Sequence, residues 1–269
     1  MLATMAKKSA NERPDDRHHG ARDPARSIAL LWRDMLPPAP ARGPKPGLSV
    51  DRILAVAIEL ADTEGLAALS MRRVAERLGV GTMSLYTYVP SKAELVDAMF
   101  DTVCGEALGD VPAGGWRTKL ETIARESWAG YRRHPWMLQV AAMARPPLGP
   151  NGIAGYDRDL RAVDGIGLTD LEMDSVISLV AVYVQGAART AVDAANTERA
   201  TGMTDAEWWD DYGPMLAKVF DAEKYPVAAR VGAVAGETYQ AAYDPEHGFE
   251  FGLARLLDGI EALVESRRG

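Results

Sequence analysis

The sequence predicts an all-α protein in two parts: an N-terminal three-helix head with a helix-turn-helix, and a larger helical body. Three observations lead there. No stretch alternates apolar and polar residues with period two, so no sheet is expected. From Ser49 onward, apolar residues recur at helical spacing, punctuated by Gly and Pro. The charge is also divided. Residues 1–95 hold 14 Lys+Arg against 11 Asp+Glu, a net of +3; the remainder holds 16 against 27, a net of −11. An acidic body repels phosphate, so only the head is suited to face nucleic acid.

Residues 1–26 are charged and lack apolar periodicity, which predicts disorder. Residues 27–36 (SIALLWRDML) read as one short apolar helix. Its Ile28, Leu31, Trp32 and Leu36 call for a dry surface, either on the body or on a partner. Residues 37–47 (PPAPARGPKPG) form a Pro/Gly linker, inert or a basic arm for the minor groove. Ser49 caps a helix that runs to about Glu64, with Ile53, Leu54, Ala57, Ile58 and Ala61 inward.

Residues 69–89 (LSMRRVAERLGVGTMSLYTYV) are the centre of the head. Ser70 is an N-cap, and Met71, Val74, Ala75 and Leu78 share one face of a short helix. Gly79 supplies the left-handed residue that ends it. A second helix of about two turns is expected from Thr82, with Leu85 pointing back at the first. Its outer side carries Thr82, Met83, Ser84, Tyr86, Thr87 and Tyr88, too polar for a core and too uncharged for an idle solvated face. Arg72, Arg73 and Arg77 crowd the first helix. Ser91-Lys92-Ala93-Glu94 is a capping box that opens a helix to about Leu108 and offers an anion site at its start.

The run from about Leu48 to Val103 resembles the DNA-binding head of TetR/AcrR transcriptional regulators. The matching residues are Ala57, Gly65, Leu69, Ser70, Arg72, Ala75, Leu78, Gly79, Val80, Leu85, Tyr86, Tyr88, Val89, Lys92 and Leu95. The resemblance implies that Arg72 faces a groove, where its fork suits guanine. Thr82, Met83, Ser84 and Thr87 suit thymine methyls and short contacts. Ser70, Arg73, Tyr86, Tyr88 and Lys92 complete the expected DNA-binding set, with Ser70, Tyr86, Tyr88 and Lys92 on phosphates. The helix after Lys92 is expected to connect head and body and transmit ligand state.

Asp110-Val111-Pro112-Ala113-Gly114-Gly115 marks the boundary, which divides the chain into an extension (1–47), a head with its connecting helix (48–109) and a body (110–269). Body helices are expected near 116–133, 135–144, 153–165, 169–199, 205–222, 226–241 and 245–268. Thr169–Glu172 and Thr204–Glu207 are capping boxes, and Asp244-Pro245 caps the last helix. Residues 170–199 and 247–264 carry broad apolar stripes, which pack either within one chain or, as the resemblance implies, against a two-fold mate in a homodimer.

Catalytic constellations are not found: the histidines are His18, His19, His134 and His247, in no metal-ligand or nucleophile pattern. Asp210-Asp211 beside Trp208-Trp209 reads as a solvated face. Cys104 reads as a small buried residue; one cysteine allows no internal disulfide and fits a reducing cytoplasm. No apolar run of membrane-spanning length is expected, because Glu172, Asp174 and Ser178 interrupt 171–184, and no membrane partner is expected. The body is rich in aromatic residues and Met, as pockets for organic ligands are. The candidate ligand-binding residues are Trp128, Tyr131, His134, Met143, Tyr183, Gln185 and Arg189, with Gln139 and Arg145 as further polar groups. The Arg145-Pro146 step and the GLTDLE and FEFGL stretches resemble a tetracycline-repressor type of body. The magnesium-holding histidines of that type would fall near Leu108 and Ala141, neither of them a metal ligand. No metal or cofactor is therefore assigned.

The expectation is a cytoplasmic, dimeric, ligand-responsive repressor of a palindromic double-stranded DNA operator, released by a small hydrophobic or aromatic effector. Two alternatives stand beside it. One is a DNA-binding regulator without a small ligand, whose body only dimerises or holds a protein. The other is a helical enzyme acting on an apolar substrate.

Overall fold

The computed structural model describes residues 24–35, 47–141 and 148–268, which form twelve α-helices and one 3-10 turn, with no strand among the described residues. Of the stretch 1–26 expected to be disordered, residues 1–23 lie outside the described residues, as do Leu36, residues 37–46 of the linker, and Met143, Arg145 and Pro146; residues 24–26 are helical instead.

The head is α2 (Val50–Glu64), the 3-10 turn Leu66–Ala68, α3 (Met71–Leu78), α4 (Thr82–Leu85) and α5 (Lys92–Glu106). Ser49 caps α2 by accepting from the Arg52 N–H, as its position before the apolar run predicts. Ile53, Leu54, Ala57 and Leu60 on α2 meet Leu69, Val74, Leu85, Val89, Leu95 and Met99 in one dry core. Ile58, expected inward, is half-buried at its edge. That core also takes in Leu30 and Leu31 of α1 (Pro24–Leu31), and Trp136, Met137 and Val140 from beyond residue 115.

The N-terminal helix begins three residues earlier than expected, at Pro24, and ends at Leu31. It packs on the connecting helix α5. Just after it, the Trp32 indole N–H donates to the Leu148 carbonyl at 2.9 Å, and Arg33 pairs with Asp51 of α2 at 2.6 Å. The extension therefore touches head, connecting helix and body together.

The body comprises α6 (Trp116–Arg133), α7 (Met137–Ala141), α8 (Pro150–Val163), α9 (Asp170–Thr201), α10 (Asp205–Val219), α11 (Pro226–Tyr239) and α12 (Pro245–Arg268). A second core lies among α6, α9 and α12, filled by Leu120, Ile123, Trp128, Val176, Val180, Val184, Phe249, Leu253, Leu257 and Ile260. Both capping boxes form, Thr169 with Glu172 and Thr204 with Glu207. The connecting helix is tied to α8 by Asp101, whose buried carboxylate accepts from the Gly152 N–H at 2.9 Å. Gly149 is required there, since a Cβ at that position would collide with the Asp101 carboxylate.

α9 corrects one expectation. By length and composition it is long and apolar enough to cross a membrane, because its acidic residues lie toward its two ends and Val176–Val192 is interrupted only by Arg189 among charged residues. One face is buried against α6 and α12 through Val176, Val180, Val184, Ala188 and Val192. The other leaves Leu171, Leu179 and Val182 exposed. α10 and α11 lie almost wholly at the surface, with only Gly236 buried.

Candidate nucleic-acid interface

The helix-turn-helix is built from local signals. The Ser70 hydroxyl accepts from the Arg73 N–H at 3.3 Å and opens α3. Gly79 closes it at φ 69°, ψ 30°, a left-handed conformation that costs a Cβ-bearing residue stability. Met71, Val74 and Ala75 are buried beneath, and Leu85 of α4 is fully buried against them.

α4 is shorter than the two turns expected. It ends at Leu85, whose carbonyl then accepts from both the Tyr88 and Val89 N–H groups at 2.8 Å. The Tyr88 N–H closes a tight turn on Leu85, and Pro90 sets the outer limit by disfavouring a helical conformation for Val89. Turns carry the chain on to Ser91. Outward lie Met83, 77% exposed, together with Tyr86 and Thr87; Thr82 and Ser84 are half-buried beside them. Tyr88 is half-buried and leans on the head core, so its ring braces the segment.

The basic residues divide by what holds them. Arg72 projects into solvent, its side chain 82% exposed, and pairs with Glu76 one turn on at 2.8 Å. That carboxylate raises the Arg72 pKa further above its ordinary value. Arg73 binds Glu64 of α2 at 2.5 Å and the Ala68 carbonyl at 3.3 Å, while Arg77 meets Glu64 at 3.1 Å and Glu59 at 3.7 Å. The Arg73 guanidinium, with Arg77 beside it, holds the Glu64 carboxyl below its usual range. Arg73 and Arg77 thus fasten α3 to α2, and Arg72 is the arginine of the three with its side chain most exposed. Lys92 is exposed on the first turn of α5, whose start is capped by the Ser91 hydroxyl accepting from the Ala93 N–H. Ser91 in turn donates to Glu94.

A compact trihelical unit with an exposed, weakly polar α4 edge, one solvent-projecting arginine and a capped helix start with a lysine is a surface matched to a duplex groove and its flanking phosphates. Comparisons with known proteins agree with that geometry. Residues 53–99 match the bacterial regulatory proteins of the tetR family, and residues 108–264 match the tetracyclin repressor-like C-terminal domain. The chain belongs to the TetR family. This TetR-family chain is a DNA-binding transcriptional regulator with an N-terminal helix-turn-helix. It is 48% identical over 252 residues to the HTH-type transcriptional repressor DrrR1 of Streptomyces coeruleorubidus, covering 93% of this chain and 90% of that one. Apo ActR from Streptomyces coelicolor superposes with a TM-score of 0.67 at 29% identity, over 83% of this chain and 99% of ActR. ActR in complex with actinorhodin gives a TM-score of 0.68 at 29% identity, over 81% of this chain and 97% of ActR.

In the body of this TetR-family regulator, the seven candidate ligand residues do not form one site. Trp128 is buried and stacks on Phe249 with centroids 4.3 Å apart; the Arg132 guanidinium lies 5.9 Å over its ring. Tyr183 stacks beyond Phe249 at 6.2 Å, and its hydroxyl donates to the Gly248 and Phe249 carbonyls. A groove of about 540 Å³ opens beside this stack, lined by Arg125, Trp128, Arg132, Glu246, His247, Phe249 and Glu250. Tyr131 is half-buried between the two cores, and burial pushes its hydroxyl up to about 12. Arg189 lies elsewhere, donating to the Leu138 carbonyl at 2.7 Å. His134 does not line the groove: it is 5% exposed and faces Asp62 and Glu106. Met143 lies outside the described residues.

Sequence reasoning missed Phe249, Arg132 and Glu246 as groove residues. For Glu246 and Phe249 the signal was the Asp244-Pro245 cap, which starts α12 and sets Phe249 on its first turns opposite Trp128; for Arg132 it was the spacing of one helical turn from Trp128 on α6. Cys104 is half-buried as expected, and burial, reinforced by Asp101, pushes its thiol up to about 12.

Proposed function

We propose that the chain is a cytoplasmic repressor that binds a palindromic operator as a homodimer and leaves it when the body takes up a small hydrophobic or aromatic effector. The observation that carries this reading is the pairing, in one chain, of an outward-facing helix-turn-helix with an aromatic groove bordered by charged groups. The relatives support it: DrrR1 is a transcriptional repressor, and ActR has been captured with actinorhodin. The role is regulatory rather than catalytic.

In this reading Arg72 exchanges Glu76 for a base edge, and Thr82, Met83, Ser84 and Thr87 contact bases. Ser70, Tyr86, Tyr88 and Lys92 hold phosphates, and Arg73 keeps the head rigid through Glu64 while its half-exposed edge adds positive potential. Trp128 meets the effector in the groove, beside Arg132 and Phe249, and Tyr183 backs that stack through Phe249. The division of the chain is an extension over 1–47, a head over 48–109 and a body over 110–269. The exposed apolar face of α9, with Leu171, Leu179 and Val182, is covered by the same face of a second copy together with α12. Effector binding acts by favouring the body state in which the two heads are wrongly spaced.

The test is selection from a random duplex pool with the full chain, followed by sedimentation of the complex and titration with actinorhodin and other apolar aromatic compounds. The expected result is an inverted repeat, two chains per duplex, and release by at least one compound in a manner sensitive to Trp128→Ala. Selection of no inverted repeat overturns the dimeric-operator reading. Selection of one with no release overturns the effector part.

A further inference from the structure

His134 stands immediately after the last residue of α6 and is buried where head meets body. Its Nδ1 lies 2.8 and 3.0 Å from the two carboxylate oxygens of Asp62, near the end of α2. Its Nε2 lies 3.2 Å from Glu106 Oε2, at the end of α5. Trp136 adds a second body donor, its indole N–H reaching Asp62 Oδ1 at 2.7 Å. Arg133 approaches Glu106 from the solvent side at 3.6 Å.

The placement distinguishes this cluster from ordinary core satisfaction. A buried histidine has two ring nitrogens to satisfy, and here each faces a carboxylate from a different one of the two long head helices. Around this ring the packing is apolar, through the Trp136 ring, Met137 and Val140, and apolar packing is non-directional; Asp101 makes a separate polar tie from α5 to α8. Hydrogen bonds to charged groups are directional and weaken steeply when misaligned. The joint therefore defines an angle that the greasy contact alone leaves soft.

We propose that His134 is a positioning residue: by holding Asp62 and Glu106 together against the body, it sets the angle at which α3 and α4 are presented to DNA. This rests on the dimeric-operator reading, because in a dimer the angle of each head becomes the distance between two half-sites.

The experiment uses the full chain and the half-site it selects from a random duplex pool. Inverted repeats of that half-site are made with the centre shortened or lengthened by one or two base pairs. The readout is the ratio of affinities across spacings, which does not depend on the fraction of active protein and which a purely structural role would leave unchanged. Wild type is expected to prefer one spacing by about tenfold or more, and His134→Phe to bring the neighbouring spacings within about threefold of it. Asp62→Asn and Glu106→Gln, which cut one arm each, are expected to fall between; they decide the matter if His134→Phe fails to fold by circular dichroism. An unchanged ratio in the folded variants overturns the inference and leaves the dimeric reading standing. A wild-type chain with no preference for any inverted repeat takes down both.

Discussion

Lys92→Ala removes one exposed cation from the first turn of α5 in each chain, and so two from a dimer bound to its operator. Each phosphate contact releases condensed counterions and contributes about 0.9 to the slope of log affinity against log salt. Two lost contacts therefore lower the slope by about 1.8. Over a fourfold rise in salt, wild type then loses about 12-fold more affinity than the variant; near ~0.1 M salt the variant binds about 60-fold more weakly. The loss falls on all sites alike, because phosphates carry no sequence information. Stability should stay within about 0.5 kcal/mol of wild type, since the side chain is in water. The assay is fluorescence anisotropy with the selected duplex and a scrambled one over a salt series. An unchanged slope refutes the phosphate assignment. A fall of only about 0.9 refutes two-headed engagement, and a change in site preference shows that Lys92 reads a base.

Other expectations follow from single contacts. Ser70→Ala removes the cap of α3 and is expected to cost about 1 kcal/mol in urea denaturation; a cost under about 0.3 kcal/mol would show that the hydroxyl is not the cap. Phe249→Ala empties the space between Trp128 and Tyr183 and is expected to cost about 3–5 kcal/mol, read from the denaturation midpoint; a loss under about 1 kcal/mol would mean the stack is not packed as described. Asp159 gives a pH effect of definite sign: burial pushes its carboxyl up to about 6 from 3.8, with Glu126 adding to the rise and Arg158 opposing it. The folded chain then holds that proton more tightly than the unfolded chain. Its contribution to stability is therefore full below about pH 3.8 and is lost as pH rises to about 6. Asp159→Asn should be more stable than wild type at pH 7 by roughly 2 kcal/mol, with the gain vanishing toward pH 4; a gain that grows on acidification would refute the sign.

Much of the head was legible because its determinants are local. Ser49, Ser70 and Ser91 each cap the helix they precede, and Gly79 takes the left-handed conformation its place after Leu78 demands. The two Thr-x-x-Glu boxes in the body form for the same reason, each closing within four residues. The length of α4 is not legible in the apolar pattern, because the chain after Leu85 closes as turns and Pro90 limits only how far a helix could run, at Val89. The ligand residues were harder. Trp128, Tyr183 and His134 are all aromatic residues on apolar helix faces, and nothing in their spacing separates a ring that borders a groove from one that bonds a carboxylate 72 residues away.

The amino-acid order alone determined where helices start and stop, which faces are apolar, and that the cationic third of the chain is the part suited to DNA, because capping, periodicity and charge act over a few residues or by simple summation. Tertiary structure alone decided which arginine of α3 projects into solvent and which are spent on Glu64, which ring lines the groove, and that His134 joins α2 and α5 to the body. Those outcomes depend on pairs far apart in sequence, and a side chain's partner across such a separation is set by how helices pack rather than by its neighbours along the chain.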